Sequence, residues 1–137
     1  MATVDRFEEL EVWKKARMLS KNIYRFTLKG PLSKDFELRG QIRSSSGSVM
    51  DNIAEGFERG GKAEFINFLI IAKGSCGEVR SQLYRLIDNE YISKKDFENL
   101  YQLSVEVSKM LNGLIQYLKK SDIKGFRYGL GQIVLLV

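Results

Sequence analysis

The chain contains no histidine. That removes Ser–His and Cys–His nucleophile pairs, imidazole metal ligands and the usual proton shuttle near neutral pH. Its one cysteine, Cys76, has no partner for an intramolecular disulfide and is too little for a thiolate metal site. A di-iron bundle built on Glu-x-x-His pairs is excluded for the same want of histidine. No run of 18 apolar residues occurs, so no membrane-spanning helix and no membrane partner are expected. The first residues, Met1-Ala2-Thr3-Val4-Asp5-Arg6, do not read as a signal or transit peptide, and the cytoplasm is the expected location. Walker loops, dinucleotide fingerprints, zinc spacings and calcium loops are all missing. Gly56-x3-Gly60-Gly61 lacks the Lys-Ser or Lys-Thr that a phosphate loop needs. The expectation is therefore no enzyme, no cofactor and no metal.

With 137 residues, a single proline and 44% apolar content, the chain suits one helical domain with a real core. The formal charge is +5 and the pI near 9.3, a mild basic excess compatible with nucleic-acid contact. Apolar spacing predicts four helices. The first is expected from Glu9 to Leu28 with core residues Val12, Ala16, Leu19, Ile23 and Phe26, and Trp13 and Tyr24 at its edge. Gly30-Pro31 then breaks the chain. The second starts near Ser33 as cap and buries Leu38, Ile42, Ser45, Val49, Ile53 and Phe57, ending at Gly60-Gly61. The third runs from about Lys62 to Asn89 on Phe65, Phe68, Leu69, Ala72, Cys76, Val79, Leu83, Leu86 and Ile87. The fourth begins at Ser93 and runs to about Lys120 on Phe97, Leu100, Ser104, Val107, Leu111, Leu114 and Leu118. Short connections make successive helices antiparallel. The expected architecture is an all-α, up-down-up-down four-helix bundle over 1–120 with a C-terminal tail over 121–137.

Three groups of residues stand apart from the core pattern. Lys14, Arg17, Lys21 and Arg25 share the face of the first helix opposite its apolar stripe, with the helix's acids lying before Lys14. This is either an ordinary solvated face or a phosphate-binding stripe. Arg39 and Arg43, an i, i+4 pair, extend it if the two helix faces adjoin. Asn52 and Glu55 lie beside the second helix's apolar stripe, where polar groups need partners, so they are expected to bond between helices or subunits. Asp51 and Glu55, one turn apart, offer hard oxygen ligands, but pairing with Lys or Arg, or capping of the third helix, is the stronger reading. Ile70, Ile71 and Tyr84 fall outside the third helix's stripe and mark a subunit interface. Gly74 and Gly77 inside that helix suggest close packing of another backbone.

Ile133-Val134-Leu135-Leu136-Val137 is an uninterrupted apolar run after a Gly- and aromatic-rich segment at 125–131. Exposed, it would be prone to aggregate. It either packs on the bundle or a neighbour, or does not belong to the fold.

Several stretches resemble a known family. Phe7-Glu8-Glu9-Leu10-Glu11-Val12-Trp13-Lys14-x-Ala16 is similar to its opening. Gln41-Ile42-Arg43-x3-Gly47-Ser48-Val49-x-x-Asn52-Ile53-Ala54-Glu55-Gly56 is similar to its centre, and Ala72-x-Gly74-Ser75-x-x-Glu78 follows in the same order. The family is the small four-helix-bundle proteins encoded in intervening sequences of bacterial 23S rRNA genes. The accessory proteins of diversity-generating retroelements are more distantly similar. The resemblance implies a homopentameric ring, association with rRNA by gene location, and RNA as a partner. Two functional readings follow: an oligomer that binds nucleic acid through basic helix faces, and a structural or adaptor oligomer whose partner is a protein.

Overall fold

The structure is a computed structural model that describes residues 2–121 and 133–135, with side chains from Val4 to Ser121. Four helices make up nearly all of it: α1 (Glu11–Thr27), α2 (Phe36–Glu58), α3 (Lys62–Asp88) and α4 (Lys94–Lys120). A short strand β1 (Ala2–Val4) pairs antiparallel with β2 (Ile133–Leu135), Thr3 opposite Val134. Part of the apolar run at the C-terminus is thus a strand on the N-terminal segment, and Val4 is buried in the same core as the helices. The Gly- and aromatic-rich stretch at 125–131 and the last two residues lie outside the described residues.

The helices pack in sequence order, α1 on α2, α2 on α3 and α3 on α4, and α1 also meets α4 to close a four-sided bundle. The core is the predicted apolar set with small substitutions. Ala16, Leu19, Ile42, Val49, Ile53, Phe65, Leu69, Ala72, Val79, Val107 and Leu111 are all fully buried. Phe26 is only half-buried, and Thr27 takes the last inward position of α1. A buried hydroxyl is tolerated there because it donates to the Tyr24 carbonyl at 2.6 Å and accepts from Arg43 Nε at 2.7 Å.

Two helix starts differ from expectation. Leu10 is extended and fully buried, and a 3-10 turn at Phe7–Glu9 precedes it, so α1 begins at Glu11 rather than Glu9. Ser33 does not cap α2. Gly30, at φ +57°, turns the chain into a second 3-10 turn at Pro31–Lys34, and Ser33 Oγ donates back to the Gly30 carbonyl. Asp35 is the cap instead. Its Oδ1 accepts from the Leu38 amide at 3.1 Å, and its Oδ2 accepts from the Tyr91 hydroxyl at 2.9 Å. One carboxylate therefore ties the start of α2 to the α3–α4 turn. The bond to Asp35 also raises the Tyr91 phenol above its ordinary range.

The other ends follow the predicted chemistry. Gly60, at φ +84°, ends α2, and Ser93 caps α4 through the Asp96 amide. After α3 the Tyr91 amide reaches the Leu86 carbonyl and the Glu90 amide the Ile87 carbonyl, the paired bonds of a Schellman turn. Glu90 holds the left-handed position at φ +61°, a place that favours glycine.

Among the helix-interior glycines, Gly56 is where close approach is needed. A Cβ there would lie 2.5 Å from Phe68 Cβ and 3.1 Å from Phe65 Cδ1. Gly74 and Gly77 do not serve that purpose among the described residues. A Cβ at Gly74 would meet nothing within 4 Å, and one at Gly77 only the Arg80 guanidinium at 3.6 Å. Across the interior, polar pairs fix the register of neighbouring helices. Ser45 Oγ donates to Gln82 Oε1 between α2 and α3, and Cys76 Sγ contacts the Ser104 carbonyl at 3.1 Å between α3 and α4. Burial pushes the Cys76 thiol up from its ordinary value, outweighing the opposing bonds and charge from Ser104 and Arg80, so it acts as a small core residue.

Gly56→Ala should destabilise the fold by about 1–3 kcal/mol, because the added methyl meets a Cβ that cannot swing away. Gly74→Ala should be neutral or stabilising by up to about 1 kcal/mol through helix propensity. Denaturant midpoints of the two variants, measured side by side, check both signs.

Candidate nucleic-acid interface

Lys14, Arg17, Lys21 and Arg25 are all exposed along the outside of α1. Lys14 is not free of carboxylates, since its ammonium lies 3.2 Å from Glu11 one turn earlier. Lys15 points the other way and pairs with Glu106 of α4 at 3.2 Å. No carboxylate among the described residues lies at ion-pair distance from Arg17, Lys21 or Arg25. Three adjacent cations on one helix thus face solvent unneutralised.

The two arginines of α2 are held more firmly. The Arg43 guanidinium sits 4.1 Å from the centre of the Tyr24 ring while its Nε donates to Thr27 Oγ1. Arg43 therefore crosses from α2 to α1, and the two basic groups do adjoin. Arg39 lies over the Phe36 ring at 4.6 Å, and its Nη1 donates to the Ser33 carbonyl at 2.6 Å. Arg17 repeats the pattern on α1, 5.7 Å from the centre of the Trp13 ring. Each of these guanidiniums rests on an aromatic face and keeps most of its five N–H donors for other partners.

The sequence reading missed this pairing. Tyr24 sits at the edge of α1's stripe and Phe36 just inside the start of α2, and neither stood out as a partner for an arginine. The signal was present in spacing: Trp13-x3-Arg17 and Phe36-x-x-Arg39 both place ring and cation on one helix face.

Asn52 and Glu55 separate in the structure. Asn52 is half-buried, and its Nδ2 donates to the Ser48 carbonyl at 2.8 Å and to Ser48 Oγ at 2.9 Å. Ser48 Oγ in turn meets Ser75 Oγ of α3 at 3.0 Å. Asn52 thus reaches the next helix through one intermediate hydroxyl. Glu55, expected to be partly buried, is exposed and pairs with Arg59 on its own helix at 3.0 Å. It faces outward because it lies one position from the inward-facing Gly56 and two from Ile53. Asp51 is also exposed, and the described residues hold no group of three carboxylate or thiol side chains placed for a metal ion.

On α3, Ile70, Ile71 and Tyr84 are each about half exposed. Tyr84 is partly covered by the chain itself. Its ring packs on Phe97 at 5.1 Å and Tyr101 at 5.7 Å, and the bond to Tyr101 raises its phenol above the ordinary range. Among the described residues no helix is long and apolar enough to cross a membrane.

A closed antiparallel four-helix bundle carrying a basic, arginine-rich edge is a small all-α protein with a surface, rather than a cavity, as its functional candidate. Comparison with known proteins gives the family. Residues 8–113 match the family described as 23S rRNA-intervening sequence protein, and the chain belongs to that family. A crystal structure of a protein of unknown function from Bacteroides thetaiotaomicron, described as from the S23 ribosomal protein family, has a similar fold. The two are 31% identical with a TM-score of 0.70, over 77% of this chain and 98% of that one. No curated protein matches the chain.

Asn52→Ala removes a half-buried, doubly bonded amide and should cost about 0.5–1.5 kcal/mol. Glu55→Ala removes an exposed pair within one helix and should cost no more than about 0.5 kcal/mol. Urea denaturation of both variants checks the order; equal losses would show that Glu55 has a buried partner in an assembly.

Proposed function

We propose that this protein is a non-enzymatic, oligomeric RNA-binding protein that holds phosphate through the basic outer side of α1 and the neighbouring edge of α2. The observation that supports this is the unneutralised row Arg17, Lys21 and Arg25, joined at Tyr24 and Thr27 by Arg43. These three have no carboxylate at i±3 or i±4, whereas Lys14 and Arg59 have Glu11 and Glu55 there. Membership of a family defined by rRNA intervening sequences makes RNA the first candidate among polyanions. Repetition of the side around a homopentameric ring would turn modest affinity per subunit into useful avidity. Contacts to phosphate position a nucleic acid but carry little sequence information.

A second reading has its own support. Ile70 and Ile71 leave apolar surface on α3 that the described residues do not cover. This favours self-assembly, and it also suits an adaptor oligomer whose partner is a protein.

The test is a gel shift with RNA across a salt series, using the parent chain and the variant Lys14→Gln, Arg17→Gln, Lys21→Gln, Arg25→Gln. The variant should fold almost normally, because exposed charges add little stability. Its log Kd should depend on log salt with a slope flatter by about two to four. Unchanged affinity and slope would reduce the row to a solvated face. No binding by the parent at low salt would leave the adaptor reading. Light scattering on the same samples reads the assembly, and a stable monomer at micromolar concentration would remove the ring.

A further inference from the structure

We infer that the edge between α1 and α2 takes single-stranded RNA, with unpaired bases stacking on exposed aromatic rings beside the arginines. This rests on the RNA reading above and names the class of RNA. Trp13, Arg17, Ser20, Tyr24 and Leu28 recur at intervals of three and four, so they share one edge of α1. Tyr24 meets Arg43 on that edge, so it is the edge that borders α2. Phe36, Arg39 and Arg43 run along the facing edge of α2 by the same spacing. From Trp13 to Tyr24 the edge spans about 16 Å at the α-helical rise, room for a few nucleotides.

Two features of this edge suit it to a ligand. Phe36 is 70% exposed, Leu28 60% and Tyr24 49%, although each is large and apolar enough to be buried. Arg39 and Arg43 are already ordered by the Ser33 carbonyl and the Thr27 hydroxyl, so little freedom is lost when they bind a phosphate. Each ring is partnered by a cation, and among the described residues neither arginine is partnered by a carboxylate. That combination of a π-face and a fixed cation matches a nucleotide, whose base and phosphate need both. Duplex RNA offers the phosphates but hides the base faces in its stack, whereas loops and single strands present both.

The experiment measures fluorescence anisotropy of a labelled single-stranded RNA of about twelve nucleotides and of a duplex of equal length. The full chain is compared with Phe36→Ala and Tyr24→Leu, both at exposed positions; each removes a ring that lies under an arginine but leaves Arg39 its bond to the Ser33 carbonyl and Arg43 its bond to Thr27. The parent should prefer the single strand. Each variant should bind the single strand about fivefold or more weakly, with duplex affinity and salt slope unchanged. Equal losses for both RNAs, or no loss for either, overturns the stacking role while phosphate binding stands. Absence of binding by the parent to either RNA overturns this inference together with the reading it rests on. If the variants instead break up an assembly in light scattering and bind RNA as before, the rings belong to a contact between copies and the inference is wrong.

Discussion

The approach of α2 to α3 at Gly56 is the constraint on which the rest of this bundle depends. Phe68 occupies the space where a side chain at position 56 would project, and Phe65 packs edge-on to Phe57 at 5.9 Å beside it. Gly60 turns the chain immediately afterwards. With the corner set, Ser48 meets Ser75 and Ser45 meets Gln82 farther along the same pair of helices. These polar contacts allow one register, because sliding either helix would strand a buried hydroxyl or amide. α1 and α4 then close the bundle on the other side, and the core fills with aliphatic side chains.

That arrangement divides the surface. The edge where α1 meets α2 gathers arginines and rings, with Arg43 reaching across the two helices. The α3–α4 side carries an aromatic trio of Tyr84, Phe97 and Tyr101, and the outward part of α3 carries Ile70 and Ile71. The basic edge also carries exposed Phe36, Leu28 and Tyr24, so exposed apolar surface is not confined to α3 and α4. The glycines on the outside fit the same division. Gly47 and Gly74 have open space where a side chain would stand, so their smallness serves no contact among the described residues.

Much of the fold was legible because helical spacing of apolar residues is a strong signal and four such stripes occur. The ends were less legible, for physical reasons. Ser33 looked like a cap, but Gly30 and Pro31 commit the following residues to a 3-10 turn and pass the role to Asp35. Asp35 in turn depends on Tyr91, 56 residues away, which no local pattern reveals. Thr27 was passed over for the core because burying it requires Arg43 from another helix. The candidate site was half legible. Its charges recur at helical spacing and were readable, whereas their aromatic partners emerged only when α1 and α2 were set side by side. Glu55 went the other way: its place beside the stripe suggested burial, and one step of helical rotation puts it in solvent.

On the function proposed above, RNA is gripped on the α1–α2 edge and not elsewhere. Chemical-shift mapping by NMR tests this most directly, with an isotope-labelled chain titrated at low salt with a short single-stranded RNA. The predicted result is that perturbed amides and arginine side chains cluster on α1 from Trp13 to Leu28 and on α2 from Phe36 to Gly47, while Ile71, Glu78, Tyr84 and Tyr101 stay unperturbed. Perturbations centred on α3 and α4, with Arg17, Arg39 and Arg43 unmoved, would contradict it.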